Sequence, residues 1–286
     1  RRRHTRYISV TGVQTCALPI LLPVCMSTGY IIAGVLVGTL VGLTGVGGGS
    51  LMTPILVFLF KFNPVVAVGT DLLFAAITKS VGVTVHHRSH GSVNWKIAGR
   101  LSLGSIPASV LTLYFLSVYE HDRADLTRPI TFVLGFALLL TAFALCIKPK
   151  VRSLGKRLPR GAIRFIGEKR RVATICIGAF LGVLVTLSSV GAGALGTVAI
   201  LLLYPGLPAV GVVGTDLAYA IPLTSVAGCG HWMLGNVDWV LLGSLLLGSV
   251  PGIWVGSHIS ARIPERVLRP IVATVLAAVA VKCLVK

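Results

Sequence analysis

Two aspartates, Asp71 and Asp216, stand inside otherwise apolar stretches, each within the pentapeptide VGTDL. An ionisable group at membrane depth is costly to bury, which makes it a candidate proton relay, cation ligand or substrate-orienting group. Each could also cap a helix by accepting N–H bonds after the Gly-Thr turn, and the two readings stand side by side. Lys79 follows Asp71 by eight residues, while Thr224 occupies the matching place after Asp216. The lysine could pair with Asp71, attract an anion, or extend its ammonium to the membrane interface.

A second chemical feature is the glycine run in GLTGVGGGSLMTP, residues 42 to 54, echoed in altered form by TLSSVGAGALGTV, residues 186 to 198. A break between half-helices exposes the first N–H groups of the following helix, and these with the helix dipole form an anion site. Gly45, Gly47, Gly48 and Gly49, with Gly191 and Gly193, are too densely placed for a packing stripe. They are candidates for substrate contact or gating, since glycine permits positive φ and close approach of a ligand to the backbone. Ser50 and Thr53 in the first run, and Ser188, Ser189 and Thr197 in the second, could add hydroxyl donors. Gly34, Gly38 and Gly42, four residues apart, instead suit close helix packing.

His86, His87 and His90 have a spacing reminiscent of metal ligands, but only His86 has a counterpart in the second half, His231. A solvated turn is the favoured reading for this cluster and its counterpart, with proton sensing or gating next. Trp95 and Trp239 follow as interface anchors. The six cysteines are scattered without paired spacing and read as buried small apolar residues. No metal site is expected. GVGGGS lacks the Lys-Ser/Thr of a phosphate loop, and no strand-turn-helix context supports a dinucleotide fingerprint. No nucleophile, base and acid come together, so neither catalysis nor a cofactor is expected.

The elements that must hold these residues are membrane helices. The 286 residues are 55% hydrophobic and 12% charged, with a mean hydropathy of +0.90, the profile of an integral membrane protein. Apolar stretches at 64–85, 97–117, 128–147, 208–229, 238–257 and 268–285 are each near the length of a crossing. They lack the alternation of a membrane barrel. Residues 29–44 and 51–62 are too short for comfortable crossings and read as half-helices meeting at the glycine break, as do 173–188 and 195–204.

The chain is written twice. Residues 33–50 align with 177–194 at a constant offset of 144, NPVVAVGTDLLFA with LPAVGVVGTDLAYA, HHRSHGSVNW with HWMLGNVDW, and LSLGSIP with LLLGSVP. The repeats cover 29–147 and 173–286, joined by a linker, 148–172, with ten basic residues and Glu168 as its one acid. Such a linker is expected to stay cytoplasmic. Without an accompanying domain or aromatic platform it does not point to nucleic acid. Loop charges then place corresponding loops on opposite faces, so the repeats are expected to be inverted. The expected fold is an all-α polytopic helical bundle of two inverted repeats with broken half-helices, an arrangement in which the breaks mark a transporter's binding site.

Residues 1–20 stand apart. VTGVQTCALPI, residues 10 to 20, matches the conceptual translation of a common sequencing-adapter oligonucleotide. We expect this segment to be an assembly artefact rather than a basic signal peptide, with the native amino terminus missing.

Together GLTGVGGGSLMTPIL, AVGTDLL, HHRSHGSVNW and LGSIPASVL, with their second-half echoes, resemble the sulfite exporter TauE/SafE family, over about residues 29–286. The resemblance implies a multi-pass permease of the cytoplasmic membrane. It would move sulfur-containing anions such as sulfite, sulfoacetate or related organosulfonates, with H+ or Na+ as coupling ion. An uncoupled anion channel and a non-transporting membrane sensor or assembly subunit are the alternatives. Small anion and lipid bilayer are the implied partners; oligomeric state is left open. By motif match Gly47, Gly48, Gly49, Pro54, Asp71 and Pro107, with Gly191, Gly193, Asp216 and Pro251, occupy the family's characteristic positions. Ala192, Ala194 and Val198 replace Gly48, Ser50 and Pro54 in the second half, so the two breaks are not expected to be equivalent.

Overall fold

A computed structural model describes residues 21–44, 49–90, 93–118, 123–157, 169–259 and 265–285. Residues 1–20, including the adapter-like segment, lie outside the described residues, as do Gly45, Gly47 and Gly48 of the first glycine run.

The described residues are helical, as a chain without water must be if its backbone groups are to find partners within each segment. Five helices form the first repeat: α1 (Leu21–Thr44), α2 (Gly49–Phe58), α3 (Pro64–His90), α4 (Trp95–Val118) and α5 (Arg123–Arg157). Five more form the second: α6 (Lys169–Ser188), α7 (Ala194–Leu203), α8 (Ala209–Met233), α9 (Trp239–Ile259) and α10 (Glu265–Val285). Among the described residues, five stretches are long and apolar enough to cross a membrane: 95–118, 128–151, 170–188, 210–233 and 239–256. The expected spans 64–85 and 268–285 fall within α3 and α10.

The half-helix expectation needs correction for the first member of each pair. α1 has 24 residues and α6 has 20, giving each a length of about 30 Å or more. Both are full-length helices: α1 begins at Leu21, ahead of the expected start at 29, and α6 at Lys169, ahead of 173. α6 thereby takes in Lys169, Arg170 and Arg171. Only α2 and α7, of 10 residues each, are half-length, at about 15 Å. α5 likewise runs on to Arg157, so the expected linker begins as helix.

Packing across the molecule obeys the internal repeat. α1 lies along α9, and in the same way α6 lies along α4; α3 pairs with α8 and α5 with α10. Glycines set the register. A Cβ on Gly34 would collide with the carbonyl of Leu245, and one on Gly178 with that of Leu101. Gly38 meets the Ser249 carbonyl as Gly182 meets that of Ser105, and Gly248 meets Ile31 as Gly104 meets Ile175. Each of these three glycine contacts has an image at the sequence offset of 144, so these two helix pairs are built alike in the two halves. The absent side chains let backbones approach closely, the usual means of association for helices that gain nothing by leaving lipid.

The core is built from residues such as Leu72, Leu101, Leu134, Leu138 and Leu223, while Leu36, Leu103, Phe132, Phe143, Leu202 and Trp254 are exposed on the outside. An apolar exterior is what a hydrocarbon solvent requires. Three cysteines depart from expectation: Cys146, Cys176 and Cys229 are exposed, and Cys283 is buried. A thiol is apolar enough to face lipid as readily as core. Trp95 and Trp239 are exposed at the starts of α4 and α9, and Trp239 meets Trp232 edge-on at 5.3 Å between ring centroids.

Candidate functional site

Each aspartate is held by the half-helix of its own repeat. The Thr53 hydroxyl on α2 donates to Asp71 Oδ2, and the Thr197 hydroxyl on α7 donates to Asp216 Oδ2 at 3.1 Å. Thr197 also lies 2.5 Å from the Gly193 carbonyl, sharing its one proton between two acceptors. Asp71 and Asp216 both sit about two turns into their own helices, so neither caps the helix that carries it. Asp216 instead faces the first turn of α7, where the positive end of the helix dipole favours negative charge. The threonines of VGTDL have a separate role. Thr70 accepts from the Asp238 N–H and Thr215 from the Asn94 N–H, both at 3.0 Å, fastening α3 and α8 to the segments that open α9 and α4.

Both carboxylates are buried, Asp71 at 0% exposure and Asp216 at 2%, and in each Oδ1 has no hydrogen-bond partner among the described residues. Lys79, 3% exposed, donates to the carbonyl of Ala192 inside the second helix break. It interacts electrostatically with Asp216 first and Asp71 second. The ammonium is therefore held in the interior and does not reach for the interface. A cation of the first repeat has been inserted into the break of the second.

The break itself is sharply bent. Ser189 has φ 57° and Gly191 φ 111°, left-handed conformations that glycine adopts freely and serine only when its surroundings enforce it. Ser188 stitches the bend by donating to the Leu184 carbonyl at 2.6 Å and accepting from the Val190 N–H at 3.2 Å. The N–H groups of Gly193 and Gly196 turn inward to the Gly191 carbonyl. Ser189 lies beside Asp71, with its hydroxyl directed to the carboxylate. Among the sequence candidates, Ser188, Ser189, Gly191, Gly193, Thr197, Asp216, Lys79, Asp71 and Thr53 thus come together around the two half-helices. Gly49 opens α2, while the side chains of Ser50 and His86 lie outside the described residues.

His231 is a correction. Far from a solvated turn, it is 1% exposed in the last turn of α8. Its Nε2 lies 3.0 Å from the Thr186 carbonyl, and the Thr186 hydroxyl donates to Ser109 Oγ at 2.7 Å. The polar chain ties α8 to α6 just before the break. The helix carries His231 inward because α8 continues past the apolar run and packs its last turn against α3 and α6, where Gly69 leaves room for the His231 side chain.

Three neighbours escaped the sequence reading. A Cβ on Gly196 would overlap Asp216 Oδ1 and the Tyr219 ring, so this glycine admits the carboxylate to the backbone of α7. Its position in GALGT, next to Thr197, was the available signal. Tyr219 is fully buried, and its hydroxyl lacks a partner among the described residues. At the corresponding positions of the first repeat stand Met52 and Phe74, which are buried and apolar. The second site is therefore the more polar, although its break carries fewer glycines. Lys148, 6% exposed, sits on α5 within electrostatic reach of Asp216. Sequence gave no reason to separate it from the basic linker.

The family model of the sulfite exporter TauE/SafE family matches residues 30–283. The chain belongs to this family. It is 38% identical to the "Probable membrane transporter protein YjnA" of Bacillus subtilis, over 88% of this chain and 97% of that one. Identity is 28% to the "Probable membrane transporter protein YunE" of the same organism, covering 82% and 88% of the two chains. For the "Probable membrane transporter protein MJ0441" of Methanocaldococcus jannaschii it is 27%, covering 86% and 91%. No solved structure matches the chain. As a member of the TauE/SafE family, the protein is a multi-pass membrane transporter and not an enzyme.

Proposed function

We propose that this transporter carries a small sulfur-containing oxyanion, sulfite or an organosulfonate such as sulfoacetate, across the cytoplasmic membrane in company with H+ or Na+. The observation that supports this reading is the buried Lys79 ammonium at the Ala192 carbonyl, within electrostatic reach of two carboxylates. A desolvated cation beside a glycine break is an anion subsite. The Tyr219 hydroxyl, without a hydrogen-bond partner among the described residues, is a further donor. Charge balance supplies the coupling. An anion at Lys79 adds negative charge beside Asp71 and Asp216, and uncompensated charge in a low-dielectric interior is costly. A cation entering with the anion restores the balance.

The reciprocal packing of α1 on α9 and α6 on α4, taken with the loop charges, supports inverted repeats that rock about this site in alternating access. The halves are 29–147 and 173–286, with the linker on the cytoplasmic side. Residues 1–20 form no part of this scheme.

The test is flux into liposomes holding the purified protein. Saturable sulfite or sulfonate uptake that responds to an imposed proton or sodium gradient supports the proposal. Uptake that never saturates and ignores both gradients indicates a channel, and no flux of any anion sinks both readings.

A further inference from the structure

On the outer side of α2 runs an apolar cavity of about 300 Å³ that the transport scheme leaves unused. Leu51, Pro54 and Phe58 line it from α2, and Val272, Val275 and Val279 from α10. Each set follows one helix face at spacings of three and four, so the cavity is a groove running along both helices for roughly 10 Å. At its Phe58 end stands Lys282, one turn beyond Val279, with its exposed ammonium 5.3 Å from the Phe58 ring centroid.

Among the described residues, α7 packs closely along α5 whereas α2 barely touches α10. The gap thus lies behind the half-helix whose Thr53 holds Asp71.

We infer that this groove is a binding site for an anionic phospholipid, with an acyl chain between α2 and α10 and the phosphate on Lys282. The lining is apolar, the site opens on the lipid-facing side of a membrane protein, and the Lys282 ammonium at its end is complementary to a phosphodiester. Basic groups beside gaps between membrane helices recognise such headgroups. Lipid in this position buttresses α2 from behind, on the turn that bears Pro54 and, on its inner side, Thr53. An occupied groove holds the half-helix against α3; an empty one frees it.

Native mass spectrometry of the detergent-purified full chain with added dioleoyl phosphatidylglycerol tests the inference. The wild type retains a lipid that survives release from the micelle. Lys282→Gln, a surface change that leaves the fold alone, weakens retention by about fivefold, the worth of one lysine beside an anionic surface. Val275→Trp fills the groove and removes the adduct, with an unchanged gel-filtration profile as the check on folding. Equal retention by all three proteins overturns the site. So does a dimer that Val275→Trp dissociates, since the groove would then hold a second copy of the chain. Because lipid retention is read without transport, failure here leaves the anion proposal standing, and the reverse holds too.

Discussion

The ammonium of Lys79, on the third helix of one repeat, is bonded to the main-chain oxygen of Ala192 in the helix break of the other. This bond joins the two halves at the second helix break, within electrostatic reach of both buried carboxylates. It also places a buried cation where a travelling anion would compete with Asp71 and Asp216 for it.

Removing that cation has two consequences that can be separated. Lys79→Met is expected to lower sulfite flux by about a hundredfold or more, the kinetic worth of roughly 3 kcal/mol of lost charge stabilisation. It also leaves the carboxylates uncompensated and destabilises the protein by a similar amount. Adding Asp216→Asn to this variant should restore the melting temperature in detergent without restoring flux. Recovery of both would make Lys79 a structural group only.

Replacing either carboxylate probes the coupling. In Asp71→Asn and Asp216→Asn, sulfite flux is expected to lose its response to an imposed ion gradient, and counterflow exchange to persist. The Asp216 variant should show the larger effect, because Asp216 lies against the backbone of α7 at Gly196 with Tyr219 beside it. Unchanged gradient-driven flux in both proteins would remove the aspartates from the mechanism.

Gly196→Ala tests the close approach of Asp216 to α7. Its methyl would meet the carboxylate oxygen and the Tyr219 ring, at a cost of about 1–3 kcal/mol, and anion affinity should fall with it. Gly206→Ala, where a methyl meets nothing, is the matched control and should melt like the wild type.

Repeat symmetry predicts paired effects at the long helices. Gly38→Ala and Gly182→Ala face equivalent carbonyls, those of Ser249 and Ser105. Each should destabilise by about 1–3 kcal/mol, with similar values in reversible unfolding from mixed micelles. A neutral Gly182→Ala would mean that α4 and α6 are not in backbone contact.

A good deal of this architecture is written locally. Apolar runs near the length of a bilayer crossing leave helices as the one solution for an unpaired backbone. Glycines spaced by four predicted packing faces, and Gly34 and Gly38 occupy them. Duplicated motifs paired Thr53 with Thr197 and Asp71 with Asp216 before any contact was known. Hydropathy alone misjudged α1 and α6, because a helix does not end where its apolar core ends; the basic start of α6 is helical too. It also misjudged His231, which lies next to the expected turn along the chain but is buried in space beside Thr186 and Gly69.

What the amino-acid sequence determined by itself is therefore the set of parts: membrane helices, two repeats, two interruptions, and an acid beside each. Those follow from periodicity and solvation, which act over a few turns. Only the tertiary structure decided that Lys79 crosses to the opposite repeat, that Lys148 turns inward, and that Gly196 and Tyr219 make the second site polar where Met52 and Phe74 make the first apolar. Such choices depend on which helices pack together, and a lone charge in a low-dielectric interior takes its meaning from the partners that packing brings to it.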